Sequence, residues 1–189
     1  MMGCACLTRH PLLHEPPTPI ELPDMSFEDF SDVLDGNRRF AADYRDPGLK
    51  AVAGRGLAVL TCMDSRIDPL RMLGISPGDA KILRNAGARV TEDVLRTLVL
   101  ATNLLGVERF MIVAHTNCRM TNVTEADVHE AVRDAGGPDT RSLAFLTSLD
   151  VHESVRQDVQ RVKSSPYLPR LTVCGFRYHL ETGELEAIC

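Results

Sequence analysis

The order of apolar and punctuating residues predicts an α/β fold: a mainly parallel central sheet flanked by helices, with an antiparallel hairpin at its C-terminal edge. Three observations predict it. From Gly56 onward, short apolar runs alternate with longer amphipathic segments, the pattern of strand–helix repeats. Two of the apolar runs stop at a chemically reactive side chain, Cys62 in one and His115 in the other. The last long run is followed by Thr182-Gly183 and a second short run, which reads as a hairpin.

The elements follow in chain order. Residues 1–24 hold Pro11, Pro16, Pro17, Pro19 and Pro23, a density that resists helix and sheet, so an N-terminal extension without packed structure is expected there. The folded domain is expected over 25–189. Ser26 can cap a helix carrying Phe27, Phe30, Leu34 and Phe40 near one face, with Asp46-Pro47-Gly48 ending it. Leu57 to Thr61 is a strand stopping at Cys62. Asp68-Pro69 opens a short helix, with proline at its first position, and Gly74 closes it. Lys81-Ile82-Leu83 is a second strand running into Arg84-Asn85-Ala86-Gly87. Thr91-Glu92-Asp93 opens an amphipathic helix through Leu105, stopped by Gly106. Phe110 to Ala114 is a third strand, Thr124 caps a helix to about Ala135, and a polar helix spans about Asp150 to Lys163. Leu171 to Leu180 is the fourth strand, and the hairpin ends near Ile188. Cys174, inside an apolar run, is expected to be a small core residue.

Composition narrows the function classes. The 189 residues are 44% apolar and 25% charged, ordinary for a soluble globular protein. A net charge of -5 disfavours a nucleic-acid partner. No apolar run is long enough to cross a bilayer, and no basic segment followed by a long apolar one opens the chain, so a cytoplasmic location is expected. In a reducing compartment the six cysteines (4, 6, 62, 118, 174 and 189) read as buried thiols or metal ligands rather than a disulfide framework.

Cys62-Met63-Asp64-Ser65-Arg66 and His115-Thr116-Asn117-Cys118 carry the chemistry. Two cysteines and one histidine form the ligand set of a zinc site that keeps its fourth position open. Cys62 and His115 each follow an apolar strand, and in open parallel sheets ligands gather beyond the carboxyl ends of strands. Taken singly, each residue has a bland reading: a buried thiol, a hydrogen-bonded histidine, a surface ion pair of about 0–1 kcal/mol. Their conjunction at corresponding strand ends is harder to explain that way. His129 and His152, on expected helices, are given no chemical role.

These residues resemble the β-class carbonic anhydrases. Arg84-Asn85-Ala86-Gly87 is similar to that family's Arg-Asn-Ala-Gly turn, Asp35-Gly36-Asn37-Arg38-Arg39-Phe40 to its N-terminal helix, and Thr182-Gly183-Glu184-Leu185 to its final hairpin. The resemblance covers about residues 26–188. It implies Cys62, His115 and Cys118 as ligands of one Zn2+ per subunit, and Asp64 with Arg66 as a catalytic dyad. It implies reversible hydration of carbon dioxide to bicarbonate by attack of zinc-bound hydroxide, and a homodimer or larger homo-oligomer. In some members the dyad carboxylate takes the fourth zinc position, which the Asp64–Arg66 contact would oppose. Two alternatives stand beside it: hydrolysis of carbonyl sulfide or carbon disulfide on the same site, and a non-catalytic zinc-binding regulator. Gly87 is expected near the pocket. The chain departs from the family on either side of its last ligand: Asn117 stands where the family often has Asp and Arg119 where it commonly has Gly, so Arg119 brings a positive charge beside the ligand turn and is a candidate pocket residue with Gly87.

Overall fold

A computed structural model describes residues 27–189. The proline-rich segment, Ser26, Cys4 and Cys6 lie outside the described residues. The chain divides into two units, Met1–Pro47 and Gly48–Cys189. Within the first, a 3₁₀ turn at Phe27–Phe30 leads into α1, Ser31–Asp43. The helix ends three residues before the Asp46-Pro47 stop signal, with Tyr44 already extended. None of its residues is buried, and Phe30, Val33, Leu34 and Phe40 are exposed.

The second unit is built on a five-stranded sheet of order β2-β1-β3-β4-β5. The strands are β1 (Leu57–Cys62), β2 (Ala80–Asn85), β3 (Arg109–His115), β4 (Thr172–Tyr178) and β5 (Leu185–Ala187). The first three pairings in that order are parallel and β4 pairs β5 antiparallel, as the sequence pattern predicts. The helices are α2 (Pro69–Leu73), α3 (Glu92–Leu104), α4 (Glu125–Asp134) and α5 (Val151–Lys163).

Local chemistry explains the helix boundaries. The Asp68 side chain accepts from the Arg71 N–H at the start of α2, and Gly74 ends it in the left-handed region. Thr91 caps α3, Asp150 caps α5, and Thr124 with Asp127 forms a reciprocal capping box on α4.

Every residue of β1 is buried, as expected of a central parallel strand. On one face, Val94, Leu98 and Ala101 of α3 and Val155, Val159 and Val162 of α5 pack on Ala58, Leu60, Phe110 and Ile112. Each large aliphatic side chain so buried contributes about 1.5–3 kcal/mol. On the other face, Val59 and Val113 meet Met72, Leu73, Ile82 and Phe176. Cover there is thinner, and it corrects one expectation. Cys174 is exposed rather than a core residue. It sits on the opposite side of β4 from buried Val173 and Gly175, and α2 is only five residues long.

Candidate metal centre

The sheet topology decides the site. β1 and β3 are parallel neighbours, so Cys62 and His115 leave the sheet at the same edge. Cys118 follows His115 after a tight turn in which Asn117 takes φ 53°. Asparagine tolerates this left-handed conformation better than most residues. The result brings Cys62, His115 and Cys118 together, all buried, with their ligand atoms within 4.8 Å of one another.

The donor set fits zinc on three observations. Two sulfurs and one ring nitrogen match an open catalytic site. The Nδ1 of His115 lies 2.8 Å from the Thr116 carbonyl, which can only accept, so Nδ1 carries the proton and Nε2 presents a bare lone pair. That Nε2 is buried with no hydrogen-bond partner, an unusual cost unless a cation takes it. The two sulfurs stand 4.0 Å apart. The Cys62 thiol is pushed down to about 4, first by the hydrogen bond from Cys118 and also by the Gly87 N–H. Cys118 is pushed up, first by donating to Cys62 and then by burial. Cysteine binds a metal as its thiolate, so metal binding here would release protons.

Gly87 supplies its N–H to the Cys62 sulfur at 3.4 Å. It can do so because it adopts φ 76°, and because a Cβ there would lie 3.2 Å from the Cβ of Met120. The following residue, Ala88, is also left-handed at φ 57° and buried, so this loop holds local strain. Asn85 braces it by bonding both the N–H and the carbonyl of Arg89. Arg89 is then fixed by a buried ion pair with Asp158 of α5 and a bond to the Leu146 carbonyl.

Asp64 and Arg66 form a fork. Arg66 Nε and the Arg66 backbone N–H donate to Oδ1 at 2.9 Å each, and Nη2 donates to Oδ2 at 2.6 Å. The Arg66 contacts, side chain before backbone, hold the Asp64 carboxyl well below the usual carboxylate range. Oδ2 lies 3.9 Å from His115 Nε2, so the ionised carboxylate borders the position a metal would fill. Ile67 packs against both cysteines of the cluster, with Met72, Met120 and Leu180 around them, making an apolar surround.

Cys62, Asp64, Arg66, His115 and Cys118, all singled out in the sequence, lie together here with Gly87 beside them. Arg119 is exposed, where its charge acts on Asp127. Three further residues went unforeseen. Arg84 donates to the carbonyls of Cys62 and Asp64, at 3.0 and 2.6 Å. Asp158 anchors the Gly87 loop through Arg89. Glu181, on the final hairpin, accepts from Thr116 and Asn117 in the ligand turn. Only Arg84 carried a signal, as part of a recognisable four-residue run. His129 bonds Thr140 and packs at a tilt against the Phe145 ring, while His152 lies 3.7 Å from Glu186.

Known proteins are similar to this chain in sequence and in fold. The sequence profile of the family described as carbonic anhydrase matches residues 57–185. Beta-carbonic anhydrase 1 of Mycobacterium tuberculosis is 34% identical over 160 residues, covering 83% of this chain and 96% of the relative. A carbon disulfide hydrolase of Acidithiobacillus thiooxidans is 30% identical over 173 residues, covering 81% and 85%. The crystal structure of carbonic anhydrase from Streptococcus mutans superposes with a TM-score of 0.81 at 33% identity, covering 87% of this chain and 99% of that one.

Proposed function

The chain belongs to the β-class carbonic anhydrase family, and from that membership we propose that it is a zinc enzyme catalysing the reversible hydration of carbon dioxide to bicarbonate. Zinc held by Cys62, His115 and Cys118 would supply the Lewis acidity that makes water nucleophilic near neutral pH. The rest is done by side chains. The Gly87 N–H and the fixed His115 tautomer prepare the ligand atoms. Arg66 keeps Asp64 ionised and held at the border of the ligand cluster, in a bidentate charge-assisted contact. Asp64 can then accept a hydrogen bond from the attacking water and aim its lone pair at the carbon of carbon dioxide. The apolar surround of Ile67, Met72, Met120 and Leu180 suits a small uncharged substrate.

The observation that carries this reading is the intact Asp64–Arg66 fork beside an unpartnered His115 Nε2. A purely structural zinc site is normally closed by a fourth protein ligand and needs no such fork. This weighs against a non-catalytic regulator.

Carbon disulfide or carbonyl sulfide hydrolysis is a second reading, supported by relatives named carbon disulfide hydrolase at 30% identity. Both substrates would use the same ligands and the same carboxylate. Parallel assays of the zinc-loaded protein decide: proton release from carbon dioxide without sulfide release supports hydration. Sulfide release from carbon disulfide with no carbon dioxide turnover would replace it.

Assembly as a homodimer in the cytoplasm belongs to the same reading. The exposed apolar residues of α1 support assembly, and among the described residues no helix is long and apolar enough to span a membrane. Mass in solution tests the dimer.

A further inference from the structure

Parallel pairing of β3 with β4 puts His115 level with Tyr178, and the Thr116 N–H bonds the Tyr178 carbonyl. The residues that follow each strand are therefore neighbours. After β3 comes the ligand turn, and after β4 comes the hairpin tip bearing Glu181. Glu181 closes on the turn with both carboxylate oxygens. Oε2 accepts from Thr116 Oγ1 at 2.8 Å and Oε1 from Asn117 Nδ2 at 2.6 Å. Thr116 Oγ1 in turn accepts from the Leu180 N–H, so its proton is committed to Glu181.

The far side of the same turn holds the dyad. The Asn117 carbonyl accepts from Arg66 Nη2 at 3.1 Å, and this same nitrogen donates to Asp64 Oδ2. A continuous line runs from Glu181 through Asn117 and Arg66 to Asp64. The residue type at 117 matters. An amide can give its N–H to Glu181, whereas a carboxylate would face Glu181 with like charge.

Resting on the hydration reading above, we propose that Glu181 is a positioning residue: through Asn117 it fixes where Arg66 stands, and so holds Asp64 in place beside the metal position. Glu181 touches neither the ligand atoms nor Asp64. Its charge also acts favourably on the Arg66 guanidinium, a secondary support. The short charge-assisted bonds make the turn a fixed stop for Arg66 instead of a mobile loop.

Glu181→Gln is the test, because glutamine keeps the size but cannot accept from both donors. Asn117→Asp cuts the same link from the other side. The zinc-loaded variants should keep full metal content and nearly unchanged KM, with kcat about tenfold lower. In an Asp64→Ala background, Glu181→Gln should change kcat less than twofold, because the path it acts through is gone. Nitrogen-15 NMR supplies a readout free of turnover. The Arg66 Nε–H, bonded to Asp64, should exchange with water about tenfold faster in Glu181→Gln. Equal kcat losses with and without Asp64 would overturn the proposal in favour of a plain folding role. An Arg66 Nε–H signal unmoved by Glu181→Gln would also overturn it. A wild-type protein inactive on carbon dioxide would instead defeat the hydration reading, leaving the Arg66 signal to judge Glu181.

Discussion

Asp158→Ala removes one half of the ion pair that ties the Gly87 loop to α5. The Arg89 and Asp158 side chains are only 14% and 5% exposed, with contacts at 2.7 and 3.4 Å. Breaking a buried pair from one side costs about 3–5 kcal/mol, since the partner is left charged and unpaired. Arg89 retains its bond to the Leu146 carbonyl and some access to water, which places the expected loss at the lower end, about 3 kcal/mol. For a chain of this size that corresponds to a fall in melting temperature of roughly 6–12 °C. Urea titration of wild type and variant at pH 7 measures it directly, as a lowered midpoint at unchanged slope. The double variant Arg89→Met, Asp158→Leu should recover most of the loss, because it is the orphaned charge and not the missing attraction that costs. The recovery should be incomplete, because the Leu146 carbonyl would lose its donor. A loss of under about 0.5 kcal/mol for Asp158→Ala would show the pair to be effectively solvated, and would refute the claim that it anchors the site loop.

Three other outcomes follow from the geometry. Asp64→Ala should lower kcat/KM for carbon dioxide about 100-fold while zinc content stays at one per chain, the size expected for a lost proton-handling group; unchanged hydration in a zinc-loaded variant would remove Asp64 from the mechanism. Gly87→Ala should cost about 2 kcal/mol, from a left-handed residue given a Cβ and from crowding against the Met120 Cβ, and should weaken zinc retention in chelator competition; unchanged stability and zinc retention would show that a side chain is accommodated there. Glu125 accepts the Phe145 and Thr147 N–H groups at 2.9 Å each, and these bonds, Phe145 first, lower its carboxyl below the ordinary glutamate value of about 4.3. Because the folded value is the depressed one, the anchoring is complete above pH 4.3 and is lost as pH falls through the folded value. Hydrogen exchange at those two amides should therefore stay slow from pH 7 to about 5 and lose protection only in stronger acid, and Glu125→Gln should show the loss at pH 7.

How much of this was legible in the sequence follows from the range of each interaction. The α2 boundaries are written in Asp68, Pro69 and Gly74, because capping acts within one turn of chain. The candidate ligand cluster was legible because few residue sets combine two thiols and an imidazole at and just beyond strand ends. Burial of Cys174 was misjudged for a definite reason. An apolar run reports that a segment is a strand, but not which of its faces finds a partner, and the face bearing Cys174 is thinly covered. Glu181 and the Arg89–Asp158 pair were invisible because their partners lie 64 to 69 residues away, joined only by the strand order, and Arg84 stood out only as part of a recognisable run, its contacts unread. Glu181 in particular depends on the β3–β4 register, which no local pattern encodes.

The central claim is that Cys62, His115 and Cys118 hold a zinc ion whose fourth position Asp64 and Arg66 keep ready for carbon dioxide chemistry. Stopped-flow hydration by the zinc-loaded protein, at one zinc per chain, tests it most directly. The account predicts a kcat/KM within the usual enzymatic range of about 10⁴–10⁸ M⁻¹s⁻¹, abolished together with zinc binding in Cys118→Ser. A fully zinc-loaded, folded protein whose rate matches the buffer blank would contradict it.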